Sequence, residues 1–268
     1  MYVCAALIAA SSIVSSCKKD DPKDSGNNPT PAEIKCYVTK TKLDNVNHQQ
    51  YVYNANNRLE RINTYAHDGT TIGEHTKITY DGSGRATRIE DYEDTDMTSY
   101  TTVEYNSNNM PTKARIYSYQ DSTGTMGEVA QLTNVYNGNQ VTRTNIYFVS
   151  NGVPMLFAYQ EYTYANGNIV TEKSYFADEF GKGELTSTTT YTYDNKKNPY
   201  MVLNLPIIYG VTAMSNNNVT QSSSLSAMTG STTTENITYQ YNGTGYPTSA
   251  VSTTSEGTTT TDMEYNCK

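Results

Sequence analysis

The chain has no tryptophan, only four phenylalanines and three histidines in 268 residues. It has no apolar run of the roughly 20 residues that a membrane-spanning helix needs. The histidines, His48, His67 and His75, are scattered, and no nucleophile elbow, HExxH or P-loop pattern accompanies them. They read as ordinary surface residues, and no catalytic residues are expected. Cations are also short: 19 Lys and Arg stand against 27 Asp and Glu, for a net charge of −8. A nucleic-acid binder needs a basic face to displace counterions, so nucleic acid is excluded as a partner and anionic polymers are disfavoured. The acidic run Glu90, Asp91, Glu93, Asp94 and Asp96 lacks the sharp glycine turn of a calcium loop and reads as a solvated loop. Two cysteines without clustered histidines make no metal site, and neither metal nor cofactor is expected.

What the chain has is tyrosine, 25 of them, amid Thr, Ser and Asn. Tyr and Thr suit a pleated, half-exposed surface, Asn and Gly suit turns, and no segment keeps a helical period. The expectation is an all-β protein.

Residues 3 to 14 are apolar or small, too short to span a bilayer and right for the core of an export signal. Ser15-Ser16-Cys17 follows and resembles the lipobox of bacterial lipoproteins, which implies a signal peptide over 1–16 and lipidation of Cys17. Lys18-Lys19-Asp20-Asp21 resembles the tag that sends Bacteroidota lipoproteins to the outer face of the outer membrane. Residues 20 to 33 are polar and Pro/Gly/Asn-rich, a tether with nothing to pack. The expected layout is a signal, a lipidated tether over 17–35, and one folded domain over 36–268, reaching the membrane through its lipid. Cys36 and Cys267 lie at the two ends of that domain, either disulfide-bonded in an oxidising envelope or two free thiols.

One pattern recurs through the domain: apolar, any residue, Tyr, then Asn or Asp. Clear copies end at Tyr53-Asn54, Tyr80-Asp81, Tyr105-Asn106, Tyr193-Asp194, Tyr241-Asn242 and Tyr265-Asn266, with degenerate copies at Tyr136 and Tyr164. The tyrosines are spaced 27, 25, 31, 28, 29, 48 and 24 residues apart. Alternation puts the residues either side of the variable position on one strand face. The Asn or Asp then bonds its own backbone and opens a turn. Four residues after the tyrosine, Asn57, Gly84, Asn109 and Gly245 tolerate positive φ. The chain returns with a small or apolar residue nine positions on, at Ile62, Ile89, Ala114, Val202 and Ala250. Each unit therefore reads as a hairpin, with its tight turn on one edge of a sheet. Longer joining loops such as 67–73, 120–127, 150–155 and 177–183 lie on the other edge, where function concentrates.

Tyr80-Asp81-Gly82-Ser83-Gly84-Arg85 and Tyr53-Asn54-Ala55-Asn56-Asn57-Arg58 resemble the tyrosine-aspartate (YD, RHS-like) repeats. The whole chain is similar to an uncharacterised family of Bacteroidota surface lipoproteins, through its lipobox, tether, tyrosine-rich repeats, Asn198-Pro199-Tyr200, Ser215-Asn216-Asn217-Asn218-Val219 and terminal Tyr265-Asn266-Cys267. Self-similarity at this period sets the expected architecture. It is seven or eight antiparallel hairpins in one long, twisted, curled sheet, an open half-barrel or solenoid-like array, with one short irregular or helical insertion at about 203–222. The insertion is the most apolar stretch and holds Pro206, which no central strand accommodates. It either covers one end of the sheet or forms a lid over a cavity, with Tyr200 and Tyr209 as candidate ligand contacts. Asp121-Ser122-Thr123 resembles a Bacteroidota O-glycosylation site.

The function expected is a non-enzymatic surface lipoprotein that binds an extracellular ligand, a glycan before others, because tyrosine faces stack on sugar rings while amides and hydroxyls bond their edges. The alternatives are a structural or protein-interaction subunit of an envelope complex, or a carrier of an apolar ligand.

Overall fold

The structure is a computed structural model, and it describes residues 34–119, 124–178, 180–203 and 210–268. Cys17, the signal, most of the tether, Asp121 to Thr123 and Tyr209 lie outside the described residues. Residues 34 to 268 form one compact unit.

Sixteen strands are present among the described residues. They are β1 (Cys36–Leu43), β2 (Val46–Tyr53), β3 (Leu59–Tyr65), β4 (Ile72–Tyr80), β5 (Ala86–Glu93), β6 (Asp96–Tyr105), β7 (Pro111–Tyr119) and β8 (Met126–Asn137), then β9 (Gln140–Ser150), β10 (Val153–Ala165), β11 (Asn168–Ala177), β12 (Gly183–Tyr193), β13 (Val219–Ser226), β14 (Thr232–Tyr241), β15 (Pro247–Thr253) and β16 (Thr258–Cys267). Each pairs antiparallel with its neighbours in sequence, and β1 pairs with β16, so the sheet is a closed barrel. The expectation of an open half-barrel or solenoid of seven or eight hairpins is thereby corrected. Closure removes the two edges that an open array would leave unpaired. A disulfide joins Cys36 and Cys267, which face each other at the seam.

The Tyr-Asx turns share one build. The Asn54 side-chain oxygen accepts from the backbone N–H of Asn56 and Arg58, and Asp81 accepts from Ser83 and Arg85. Asn106 and Asn242 repeat the arrangement. Asn57, Gly84, Asn109 and Gly245 have φ of 58°, 82°, 60° and 85°. Gly84 is the most constrained, since a Cβ there would fall 1.9 Å from the Arg58 guanidinium. At Tyr53, Tyr80, Tyr105, Tyr136, Tyr164, Tyr193 and Tyr241 the strand register slips by a bulge. In five units the tyrosine hydroxyl reaches back to the unit before it. Tyr80 donates to the Leu59 carbonyl, Tyr105 to Ala86, Tyr136 to Pro111, Tyr193 to Ile169 and Tyr265 to Pro247. The apolar ring body packs inward while its hydroxyl satisfies a backbone acceptor.

The opposite edge is less uniform than the sequence suggests. Asn151 and Gly152 make a two-residue turn with φ of 53° and 75°, so 150–155 is a tight hairpin. The 178–182 turn copies the Asx geometry without a tyrosine, Asp178 accepting from Phe180 and Lys182. The acidic run is mostly strand: Glu90, Asp91 and Glu93 lie in β5 and Asp96 opens β6, with Asp94 in the turn between, and alternation sends Glu90 and Asp91 to opposite faces.

Candidate functional site

Two faces follow from the register. Tyr200, in the 3-10 turn Pro199–Leu203, packs on a cluster that includes Val38, Tyr51, Ile62, Ile78 and Ile89 from β1 to β5. Val211 and Met214, in the 3-10 turn Val211–Met214, pack on Val141, Tyr162 and Ile169 from β9 to β11. One short segment touches both walls of a sixteen-strand barrel only from within, so these faces line the lumen and the insertion caps the tight-turn end. A hollow of about 420 Å³ remains beside it, lined by Pro111, Tyr136, Tyr164 and Met214.

The insertion is held at its base by the sixth turn. Asp194 keeps the turn contacts of Asn54 and Asp81, accepting from the N–H of Lys196 and of Asn218. Asn218 thus takes the place of Arg58 and Arg85, and Val219 opens β13. The expected bounds of 203–222 are shifted: the extra chain lies between Asp194 and Asn218, and Val219 to Ser222 are strand. Val202, expected on a return strand, lies in the 3-10 turn. Ser215, fully buried, accepts from the Ile169 N–H and bonds the Tyr193 hydroxyl. Asn198 donates to the Ser215 carbonyl, and Asn217 pairs with Asn168.

Beyond this cap the lumen mixes apolar and polar side chains. A hollow of about 200 Å³ under Pro199 and Tyr200 is lined by Val219, Glu235, Ile237, Tyr239, Ser252 and Met263, among others. Tyr200, a candidate from sequence, lines this hollow, and burial pushes its hydroxyl pKa up. Glu235 accepts from Ser222 and Ser252. On the next wall Glu172 accepts from Gln160 at 2.8 Å and Tyr191 at 3.1 Å. Burial raises the Glu172 pKa, and the hydrogen bonds from Tyr191, Ser174 and Gln160 oppose that rise. Asp91 accepts from Thr76 and Ser99. No lysine or arginine occupies an inward strand position among the described residues, so the lumen is neutral to anionic. No group of three or more His, Cys, Asp or Glu converges as a metal site among them.

Sequence reasoning missed Glu172 and Glu235. For Glu172 the nine-residue rule points to Lys173 instead, because the two-residue Asn166-Gly167 turn is one residue shorter. The register puts Glu172 at the inward position that Ile62, Ile89, Ala114 and Ala250 fill in other units. The repeat tyrosines Tyr53, Tyr80, Tyr105, Tyr136, Tyr164, Tyr193, Tyr241 and Tyr265 ring the capped end. All are half-buried. Tyr241 departs from the ladder, its hydroxyl going to Asp194 while Tyr239 takes the Val219 carbonyl.

The outward face is built for water. Glu90 bonds Arg88 at 2.7 Å and Lys77 at 3.4 Å, Arg115 bridges Glu104 and Glu128, and Arg143 meets Glu161. Tyr100 is sandwiched between Arg88 and Tyr117, and Tyr159 between Arg143 and Tyr175. His75 stacks on Tyr92 at 4.5 Å. A lipid-facing barrel wall carries an apolar band about 25 Å tall, where each Arg or Lys at the midplane costs about 2–4 kcal/mol. Four cations, Lys77, Arg88, Arg115 and Arg143, on mid-strand outward positions are incompatible with that band.

No protein-family profile matches the chain, and no curated protein matches it. Among solved structures, the barrel is similar to a porin-like protein from Bacteroides vulgatus ATCC 8482, with a TM-score of 0.58 at 13% identity, covering 86% of this chain and 99% of that one. It is also similar to a porin-like protein from Bacteroides uniformis ATCC 8492, with a TM-score of 0.53 at 16% identity, covering 85% of this chain and 98% of that one. At such identities the likeness is one of fold.

Proposed function

We propose that this chain is a non-catalytic binding protein of the cell envelope, lipid-anchored through Cys17 at the outer membrane and facing the cell exterior, that takes an extracellular glycan into its lumen. The observation that carries this reading is the lumen itself, capped at one end and carrying hydroxyls, amides and tyrosine rings along β10 to β15. A sixteen-strand barrel is too wide for side chains to meet across it, which leaves an aqueous interior. Sugar edges find donors and acceptors at Gln160, Thr189, Ser222 and Ser252, and ring faces find Tyr191 and Tyr239. The inward carboxylates Asp91, Glu172 and Glu235, with no inward cation, favour neutral or amino sugars over acidic ones. The charged outward face supports a barrel that stands in water beside the membrane, with the lipid as its only attachment.

The test is a glycan panel probed with residues 34–268 and with a Ser224→Trp variant, which fills the lumen at an inward position of β13. Saturable binding to neutral or amino glycans, lost in the variant, is the expected result. A blank panel, or equal binding by the variant, contradicts the reading.

A further inference from the structure

All four phenylalanines of this tyrosine-rich chain lie at the end of the barrel opposite the cap. Phe148, Phe157 and Phe176 are on β9, β10 and β11, and Phe180 is in the following turn. Their exposures are 55%, 55%, 50% and 86%, and Met155 beside them is 51% exposed. Phe148 pairs with Ala130 and with Met155, continuing the inward column of Ile146 and Leu132. Phe176 pairs with Ala158 and continues the inward column of Ser174. The Phe157 ring, at the β10 bulge, lies 5.5 Å from Phe176. At this height the inward positions of other strands are Glu93, Ser118 and Ser226.

Elsewhere in the lumen the aromatic residue is tyrosine, and its hydroxyl finds a partner, as at Tyr162 and Tyr191. Here the hydroxyl is missing at three adjacent positions, and the surface left is hydrocarbon bordered by Glu184, the residue paired with Phe176. Contiguous exposed apolar surface of this kind marks a binding site.

We propose that this arc holds the hydrocarbon chain of a free single-chain amphiphile that enters at this end. The reading goes beyond glycan binding and rests on the phenylalanines of β9 to β11, which the glycan reading does not use. Three observations select the occupant. The arc lies on the concave inner wall, which a flat bilayer cannot reach. The turns at this end carry Asp44, Asp68, Asp94, Asp178 and Glu256, which repel an anionic membrane surface. The wall beyond β11 offers Ser187 and Ser226, which suit a polar head while methylenes lie on Phe148, Met155 and Phe176.

Calorimetric titration of residues 34–268 with dodecylphosphocholine, kept below its micelle-forming concentration, tests the proposal. Saturable binding is expected, weakened at least tenfold in Phe148→Ser/Phe176→Ser, with glycan binding unchanged. Should that pair fail to fold, Phe157→Ser alone, at a bulge, is expected to weaken binding several-fold. Absent binding, equal affinity in the folded variant, or flotation of the domain with phosphatidylcholine vesicles that the substitutions abolish would each overturn it. Loss of glycan binding alone leaves this site standing and removes only the preceding proposal.

Discussion

The Tyr53 hydroxyl donates to the Val38 carbonyl at 2.8 Å, and Val38 is the residue paired with Tyr265 across the seam. The Tyr53 rung, like those from Tyr80 to Leu59 and Tyr105 to Ala86, lands on the strand before its own. That strand is β1, which pairs with β16 as the return strand of the last repeat, so closure follows the repeat rule once more.

Tyr80→Phe tests one rung. It leaves the Leu59 carbonyl without its donor while the ring still packs. A lost hydrogen bond that strands a buried acceptor costs about 1–3 kcal/mol. A melting temperature a few degrees below wild type is expected. An unchanged one would show that the rung contributes nothing.

The rungs also set an alkaline limit. Burial pushes the hydroxyls of Tyr80 and Tyr105 up to about 12 from an ordinary 10.0. The folded state then holds these protons more tightly than the unfolded state. Stability is fully present below pH 10 and is lost as pH rises from there through 12. Melting temperature plotted against pH should be flat to about 10 and then fall steeply. A flat profile through pH 11.5 contradicts the buried ladder.

Cys36 and Cys267 enclose a sequence separation of 231 residues. On the chain-entropy view such a cross-link contributes on the order of 5 kcal/mol, with native pairing of β1 and β16 lowering the measured figure. Cys36→Ser/Cys267→Ser should melt well below wild type while keeping its β circular-dichroism spectrum. Reductant should lower the wild type to match and leave the variant unmoved.

The insertion should be removable. Replacing residues 195–217 with Gly-Ser-Gly rebuilds the Asp81 turn between Asp194 and Asn218. The barrel should still close, because the turn bonds of Asp194 are already those of the other units. It should lose about 3–6 kcal/mol with the buried contacts of Tyr200 and Met214. A shortened chain that fails to fold would mean that the cap helps to build the barrel.

The turns were legible because their chemistry is local. Asn54, Asp81, Asn106 and Asn242 announce themselves, and Asn57, Gly84, Asn109 and Gly245 take the positive φ their residue types allow. Closure was not legible, since the pairing of β1 with β16 joins residues more than two hundred positions apart and has no local signal. The insertion was misplaced for a related reason: Asn218 completes a turn begun at Asp194, 24 residues earlier, and Val219 to Ser222 look like loop until that bond is seen. The lumen carboxylates stayed hidden because facing depends on register, and each bulge shifts it by one residue.

The most direct measurement is of membrane behaviour. Residues 34–268, expressed without detergent, should be monodisperse in water and should leave the conductance of a planar lipid bilayer unchanged, because the outward face carries Lys77, Arg88, Arg115 and Arg143. A protein that needs detergent, inserts into the bilayer and opens stepwise ion conductance would contradict a capped barrel standing in water.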